Sequence, residues 1–275
     1  MGTSIRARRV NHMNLVYEDF DAAVAHFRHA FDAEFLVDMA QDEWHACLMA
    51  FGDVIFEFFV PYQFLTNARY GPHHVGLEYE ADMDEVRAAI AEREIRLIRD
   101  IGLAVHTDPR DTFGVAFEFY DGSFHDRTWD LLGGQTMKRR DFWELHPLGL
   151  IGLAGWSLAV KELDAACAFM QDFMDALVVG MAEYPAICAR GISLAVADET
   201  VEILAPTGVG TLARHLARFG DGIRATRFAA RDLGKVRDWF DAKGIATGPG
   251  DAEGSLALAE RDNLGLIFEF VEIAD

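Results

Sequence analysis

The sequence predicts an α+β fold made of four βαβββ modules, and two observations predict it. The first is an internal repeat. RDTFGVAFEF (Arg110 to Phe119) and RDNLGLIFEF (Arg261 to Phe270) share Arg-Asp, Gly and Phe-Glu-Phe at a constant offset (261 − 110 = 151 residues). The second is that each half contains two stretches with a strand pattern followed by a helix pattern, and that short strand-like runs follow each helix. Four similar modules are therefore expected, two in each half.

The first module begins near residue 9. VNHMNLVYEDFDAAVAHFRHAF reads as a strand, a turn that begins with Asp, and a helix whose apolar residues recur at steps of three and four. The other modules begin near residues 72, 152 and 221, with HHVGLEYEADMDEVRAAIAERE, AGWSLAVKELDAACAFMQDFM and IRATRFAARDLGKVRDWFDAKG. The last strand-like run of each module holds a glutamate, and these are Glu57, Glu118, Glu202 and Glu269.

The stretch between the second and third modules predicts a linker. Residues 121–149 mix Gly, Pro and charge without clear periodicity. We therefore predict a first domain at residues 1–134, a linker at 135–149 and a second domain at 150–275. The sequence leaves open whether module one packs against module two, or whether one pairs with four and two with three.

Composition limits the class of partner. The chain has 275 residues, 51% of them hydrophobic, which is enough for one large or two ordinary globular domains. Lys and Arg number 25 against 45 Asp and Glu, and the formal net charge of -20 argues against nucleic acid and anionic membrane. A small-molecule substrate or a protein partner is the better expectation, and a homodimer is left open.

The cysteines and the N-terminus predict a cytoplasmic protein. Cys47, Cys167 and Cys188 have neither CxxC spacing nor a disulfide framework, which fits a reducing compartment. MGTSIRARRV lacks the apolar core of a signal peptide, and no run approaches the ~18 apolar residues of a membrane helix.

The strand glutamates need a counter-charge. Each Phe-Glu-Phe places a carboxylate inside an apolar strand, where an unpaired charge is costly. Counting back from the acids at the helix starts, the same position of the four first strands holds His12, His74, Gly155 and Arg224. The intervals to the glutamates are 57 − 12 = 45, 118 − 74 = 44, 202 − 155 = 47 and 269 − 224 = 45 residues. Two imidazoles and two carboxylates in the first half therefore predict a site for a divalent transition ion, while Arg224 is expected to neutralise the carboxylates of the second half.

This arrangement resembles the vicinal oxygen chelate superfamily, which includes glyoxalase I, methylmalonyl-CoA epimerase, the bleomycin-resistance proteins and the extradiol dioxygenases. The resemblance covers nearly the whole chain and implies two tandem glyoxalase-like domains. YGPHHVGLEYEADMDEV is similar to the epimerase branch in particular. The resemblance implies one divalent ion (Fe, Mn, Co, Ni or Zn), with ligands His12, Glu57, His74 and Glu118.

The resemblance also implies the chemistry. A metal that chelates neighbouring oxygens of a substrate would stabilise an enolate or enediolate, while Glu118 or Glu57 moves a proton. That is the chemistry of an isomerase, an epimerase or a lyase. His106 is a further acid/base candidate, although an exposed turn residue beside TDPRD is an equally good interpretation of it.

Two other functions remain open at this point. One is iron-dependent ring cleavage, with His12, His74 and Glu118 as a facial triad. Against it, Asp108 and Thr112 stand where the ring-cleavage signature has Tyr and Pro. The other is a non-catalytic small-molecule-binding protein, because a fold alone does not imply catalysis.

Overall fold

The computed structural model describes residues 2–42, 45–60, 74–125, 129 and 133–273, with the backbone alone at 74 and 75. The elements of the first half are β1 (Arg9–Val16), α1 (Phe20–Phe31), β2 (Glu34–Ala40), β3 (His45–Phe51), β4 (Val54–Phe59), β5 (His74–Glu80), α2 (Met83–Glu92), β6 (Leu97–Asp100), β7 (Ala104–Thr107) and β8 (Ala116–Tyr120). A short helix, α3 (Arg140–Leu145), follows. The elements of the second half are β9 (Leu150–Ala159), α4 (Leu163–Met174), β10 (Leu177–Tyr184), β11 (Ala189–Val196), β12 (Glu199–Pro206), α5 (Thr211–Phe219), β13 (Gly222–Ala230), α6 (Leu233–Ala242), β14 (Thr247–Pro249), β15 (Leu256–Leu258) and β16 (Ile267–Glu272).

In the described part of the chain, the strands form two eight-stranded sheets, one from each half of the sequence. Their orders are β2-β3-β4-β1-β5-β8-β7-β6 and β10-β11-β12-β9-β13-β16-β15-β14. In both sheets the first strands of two modules lie side by side at the centre. The last strand of a module runs parallel to its first strand, as β8 does with β5. The predicted α+β fold of four βαβββ modules is confirmed.

Acidic side chains begin three of the helices, as the sequence predicts. Asp19 accepts a hydrogen bond from the backbone N–H of Ala22 at the start of α1. Asp82 and Asp232 accept two backbone hydrogen bonds each at the starts of α2 and α6. These caps satisfy N–H groups that a helix cannot pair internally. They fix the point at which each central strand turns into its helix.

The Phe-Glu-Phe strands have two different faces. In β8, Phe117 and Phe119 are fully buried and stack near Tyr79 of β5, while their edges meet Phe173 of α4. Because side chains alternate along a strand, Glu118 projects from the opposite face. The phenylalanines therefore build the packed core, and the glutamates line the other face of the sheet.

Packing divides the described chain into two compact units that differ from the two halves. One unit contains β5 to β8 with α2, together with α4, β10 to β12 and α5. The other contains α1 and β2 to β4, together with α3, α6 and β14 to β16. Strands β1, β9 and β13 each contribute residues to both units. The boundaries at 1–134, 135–149 and 150–275 stay a prediction.

None of the described helices combines the length and the apolar character that a membrane span requires. Cys47 and Cys167 are buried thiols, Cys188 is partly exposed, and all three are free.

Candidate metal site

Four buried polar side chains lie on four adjacent strands of the first sheet. They are His12 on β1, Glu78 on β5, Glu118 on β8 and His106 on β7. The strand register places Glu78 opposite Glu118, and Glu118 opposite His106. Each of the four residues is between 1% and 6% exposed. All four belong to one compact unit.

One carboxylate oxygen lies between two imidazoles. Glu118 Oε2 is 2.9 Å from His106 Nε2 and 3.4 Å from His12 Nε2. The other ring nitrogen of His12, Nδ1, is 3.5 Å from Glu78 Oε1. One ligand atom from each of His12, Glu78 and Glu118 lies within 4.8 Å of the other two. The site is thus a compact cluster of nitrogen and oxygen donors.

The two carboxylates have opposite electrostatic properties. Burial raises the pKa of Glu78 well above its usual range, and the neighbouring charge of Glu118 raises it further. Burial also acts to raise the pKa of Glu118, but the charge and hydrogen bond of His106, with those of His12, hold that pKa well below its usual range. Glu118 is therefore the carboxylate that the cluster keeps ionised.

Asn11 holds parts of the cluster in place through hydrogen bonds. Its Nδ2 donates hydrogen bonds to Glu78 Oε1 at 2.8 Å and to the carbonyl of Gly122 at 3.0 Å. Its Oδ1 accepts one from the backbone N–H of Phe124 at 2.9 Å. The Phe124 ring in turn stacks on His12, with centroids 4.8 Å apart and planes inclined by 21°. The buried side-chain amide of Asn11 thus orients the Glu78 carboxylate. It also orients the loop whose Phe124 ring packs on His12.

The donor set fits a divalent transition ion. Imidazole nitrogen and carboxylate oxygen are its common protein ligands. Two buried carboxylates in register also repel each other, and a bound cation would remove that repulsion. His12, Glu78 and Glu118 could hold such an ion, and His106 is adjacent to the shared oxygen.

The structure brings together three of the five residues that the sequence analysis selected. His12, Glu118 and His106 lie in the cluster. His74 begins β5, but its side chain lies outside the described residues. Glu57 is half-buried on β4 and belongs to the other compact unit. The roles of His74 and Glu57 as ligands stay predictions.

Glu78 is the residue that the sequence analysis missed. Counting from the helix starts selects His74 as the partner of Glu118, whereas the strand register places Glu78 there, four residues later. The alternation of buried and polar side chains along β5 could have identified Glu78 from the sequence. Leu77 and Tyr79 are fully buried core residues, so a glutamate between them must project from the face that carries Glu118.

The second sheet has an ion pair at the corresponding place. Arg227, and not Arg224, lies opposite Glu269 in the register. Its Nε and Nη2 both donate to Glu269 Oε2 at 3.1 Å, and the backbone N–H of Asp251 donates to Oε1 at 2.6 Å. Both oxygens of Glu269 are therefore engaged by protein donors.

Glu202, the other strand glutamate of this half, lies opposite Ser157 and not opposite Gly155. Gly155 has a φ of 144°, and a Cβ there would lie 1.9 Å from the carbonyl oxygen of Thr200. The backbone thus leaves no room for a ligand side chain at that position. The partner of Glu202 stays a prediction.

The sequence matches no family model and no curated protein. Among solved structures, a mutant of 4-hydroxymandelate synthase from Streptomyces coelicolor is similar over 99% of this chain and 93% of its own, with a TM-score of 0.73 and 14% identity. Methylmalonyl-CoA epimerase from Mycobacterium tuberculosis is similar over 46% of this chain and 90% of its own, with a TM-score of 0.42 and 22% identity. A likeness at 14% identity is evidence of fold alone. By that whole-chain likeness and by its four modules, the chain shares its fold with the 4-hydroxymandelate synthase structure, as the resemblance to the vicinal oxygen chelate superfamily leads one to expect.

Proposed function

We propose that this chain is a metal-dependent enzyme of the vicinal oxygen chelate type. It acts on a small oxygen-rich organic substrate by proton transfer through an enolate or enediolate, as an isomerase, epimerase or lyase does. The observation that carries the proposal is the buried cluster of His12, Glu78 and Glu118, whose ligand atoms lie within 4.8 Å of one another. Fe, Mn, Co, Ni and Zn are all compatible with these donors.

The protein residues have separate tasks in this proposal. His12, Glu78 and Glu118 hold the ion, which when bound polarises substrate oxygens as a Lewis acid. Glu118, one of the two carboxylates that the sequence selects for this step beside Glu57, takes the substrate proton. His106 Nε2, 2.9 Å away, is within hydrogen-bond reach to accept that proton or return it. Phe124 covers one side of the His12 ring and keeps water from it.

A second candidate function is iron-dependent oxygenation, and one specific feature favours it. The Nε2 atoms of His12 and His106 both approach Glu118 Oε2. Two histidines and one carboxylate form the facial triad typical of non-haem iron oxygenases. The whole-chain likeness to a 4-hydroxymandelate synthase structure is compatible with this candidate. Oxygen consumption separates the two functions.

The metal content of the purified full-length protein tests the proposal. We expect about one divalent transition ion per chain, because neutral imidazole and ionised carboxylate are the states that such an ion requires. His12→Ala should lose at least tenfold in affinity for that ion. Elemental analysis, followed by competition with a chelator, measures both quantities.

His26→Ala is the matched control. His26 is a partly buried histidine that contacts Asn263 at 3.0 Å in the other compact unit, so the change should leave the metal content unaltered. His74→Ala and His106→Ala, measured beside it, show which of these histidines completes the ligand set. A wild-type protein without stoichiometric metal, or full occupancy in His12→Ala, would contradict the proposal and favour a non-catalytic binding protein.

A further inference from the structure

Strand β10 exposes an unusual run of large apolar side chains. Leu177 is 67% exposed, Val178 47%, Val179 60% and Met181 77%. β10 is the outermost strand of the second sheet, and in the described part of the chain β11 is the one strand that pairs with it. An outer strand presents backbone N–H and C=O groups that can pair with another strand, and exposed apolar side chains strengthen that tendency.

The other three sheet edges carry features that discourage such pairing. β14 has three residues and ends at Pro249, which has no N–H to donate. β6 has four residues and ends at Asp100, whose carboxylate pairs with Arg87 at 2.7 Å. The edge of β2 is covered, because the backbone N–H of Gln135 donates to the carbonyl of Leu36 at 2.8 Å. β10 has eight residues and none of these features.

A bulge in β10 does not prevent pairing. The register with β11 shifts between Val178 and Gly180, which leaves Val179 as the extra residue. β2 has a bulge at the corresponding place, between Phe35 and Val37. There the bulged residue, Leu36, is the one whose carbonyl accepts the N–H of Gln135. A bulge at this place in β10 therefore leaves a backbone carbonyl that can accept a hydrogen bond from a neighbouring chain.

We propose that β10 is the surface through which two copies of this chain associate, edge to edge and antiparallel, about a twofold axis. A twofold interface requires only that one surface be complementary to itself. An antiparallel pairing centred on Gly180 sets Val179 of one copy opposite Met181 of the other, and Val178 opposite Ala182. Each of these cross-strand pairs is apolar, as sheet pairing favours.

Charge does not oppose this association at the strand itself. The chain has a net charge of -20, so two copies repel each other in general. The one charged residue of β10 is Glu183, which lies opposite Arg190 of β11 in the register. An opposite charge therefore stands beside it in the same sheet, and the rest of β10 carries no charge.

The available area predicts a dimer of moderate strength. A stable interface buries about 800 Å² per partner. Four side chains of this size supply roughly 100 Å² each, so up to about half of that area comes from them. The paired backbone and the flanking residues must supply the rest. We therefore expect a dimer whose population depends on protein concentration.

Sedimentation velocity of the full chain over a range of micromolar concentrations tests the proposal. The wild type should show a dimer that grows with concentration. The double variant Val179→Lys/Met181→Lys should raise the dissociation constant at least tenfold, because the pairing would set the lysine at one of these positions opposite the lysine at the other position in the second copy. The melting temperature and metal content of the variant should match those of the wild type, since both side chains are largely exposed.

Val209→Lys is the matched control, because Val209 is 94% exposed and lies outside β10, in the loop before α5. This control should dimerise as the wild type does. A wild type that stays monomeric at all concentrations overturns the proposal. So does an oligomer that the double variant leaves unchanged, or one that the control disrupts equally. The proposal does not depend on the metal site, which metal analysis of the same samples tests separately.

Discussion

Glu199 is a buried glutamate whose carboxyl group is held by hydrogen bonds from aromatic side chains and not by a cation. Its Oε1 accepts hydrogen bonds from the hydroxyl of Tyr79 at 2.5 Å and from Trp156 Nε1 at 2.9 Å. Burial raises the pKa of Glu199 to about 8, although these two hydrogen bonds oppose the shift. The two aromatic side chains therefore supply hydrogen-bond donors to Oε1, but burial still disfavours the ionised form of Glu199.

The stability of the protein should depend on pH through Glu199. The unfolded chain releases this proton near pH 4.5, and the folded chain holds it up to about pH 8. The folded state thus binds more protons between these values, so stability falls as pH rises through that window. We expect a loss of up to about 1.4 kcal/mol for each pH unit in that window.

Urea unfolding of the wild type and Glu199→Gln between pH 5 and about pH 9 measures this effect. The glutamine keeps the acceptor oxygen but does not titrate, so the difference between the two curves should fall with pH and level off near pH 8. Glu253→Gln changes an exposed acid and is the control. Parallel curves for wild type and Glu199→Gln would contradict the assignment.

Asn11 is expected to act on the metal site through Glu78 and Phe124. Asn11→Ala removes the donor to Glu78 and the acceptor for the Phe124 N–H. Because residues that orient metal ligands affect affinity, we expect a loss of roughly 10- to 100-fold in metal affinity. The unfolding free energy should also fall by about 1–3 kcal/mol. Metal titration followed by chelator competition measures the first effect.

Asn263→Ala separates positioning from folding. Asn263 is also fully buried, and its Nδ2 donates to the carbonyl of Leu266 in the other compact unit. This variant should lose similar stability and keep its metal affinity. Equal metal affinity in Asn11→Ala and the wild type would exclude a positioning role for Asn11.

At the scale of elements, the same pair of parallel strands holds different groups in the two halves. β5 and β8 place two carboxylates opposite each other, Glu78 and Glu118. β13 and β16 place Arg227 opposite Glu269. In the first pair, His12 and His106 lie against Glu118, and the donor set could hold a metal ion, whereas in the second pair the strand itself supplies the cation. One strand arrangement thus serves as a candidate metal site in one sheet and as a closed ion pair in the other.

Removing the guanidinium should destabilise the second sheet. Arg227→Ala leaves Glu269, which is 0% exposed, without its charged partner. Breaking a buried pair from one side costs about 3–5 kcal/mol. We expect a clearly lower unfolding free energy with unchanged metal content, as chemical unfolding and elemental analysis would measure.

Two further variants interpret that result. Arg227→Leu/Glu269→Leu removes both charges and should recover much of the loss, because no charge is then left buried alone. Arg261→Ala removes an arginine whose side chain is 80% exposed, and should have little effect. If Arg227→Ala were no more destabilising than Arg261→Ala, the pair would not hold the sheet together.

At the scale of the whole molecule, the fold of four modules does not determine which reaction is catalysed. The residues at the positions of the ring-cleavage signature are engaged locally. Asp108 accepts hydrogen bonds from Arg110 Nε at 2.9 and 3.0 Å. Thr112 donates to the carbonyl of Val115 at 2.6 Å. Both residues hold the turn between β7 and β8, and neither has the side chain that the signature has there.

We therefore expect that turnover, once a substrate is found, does not consume oxygen. An oxygen electrode measures uptake while the metal-loaded protein meets a panel of catechols, hydroquinones and small keto or thioester acids. His12→Ala, treated in the same way, controls for uptake by free metal. Uptake that requires both His12 and a substrate would favour iron-dependent oxygenation over proton transfer.

Much of the fold could be predicted from local sequence. Helix periodicity and the caps at Asp19, Asp82 and Asp232 depend on residues only a few positions apart, so they can be read directly from the sequence. The repeated Phe-Glu-Phe motif then relates the modules to one another. Together these features determine the four βαβββ modules. Counting within the modules also selects His12 and Glu118. For His106 the sequence leaves an exposed turn open, and the structure places it buried on β7.

The partners of these residues were decided only by tertiary structure. Counting along the chain assumes that every module has the same strand lengths. The register is instead set by backbone hydrogen bonds between strands that are distant in sequence. A shift of the register by one or a few residues changes which side chains face each other. The register placed Glu78 opposite Glu118 and Arg227 opposite Glu269. The packing of modules into two compact units was likewise beyond local sequence, because it depends on which apolar faces cover each other.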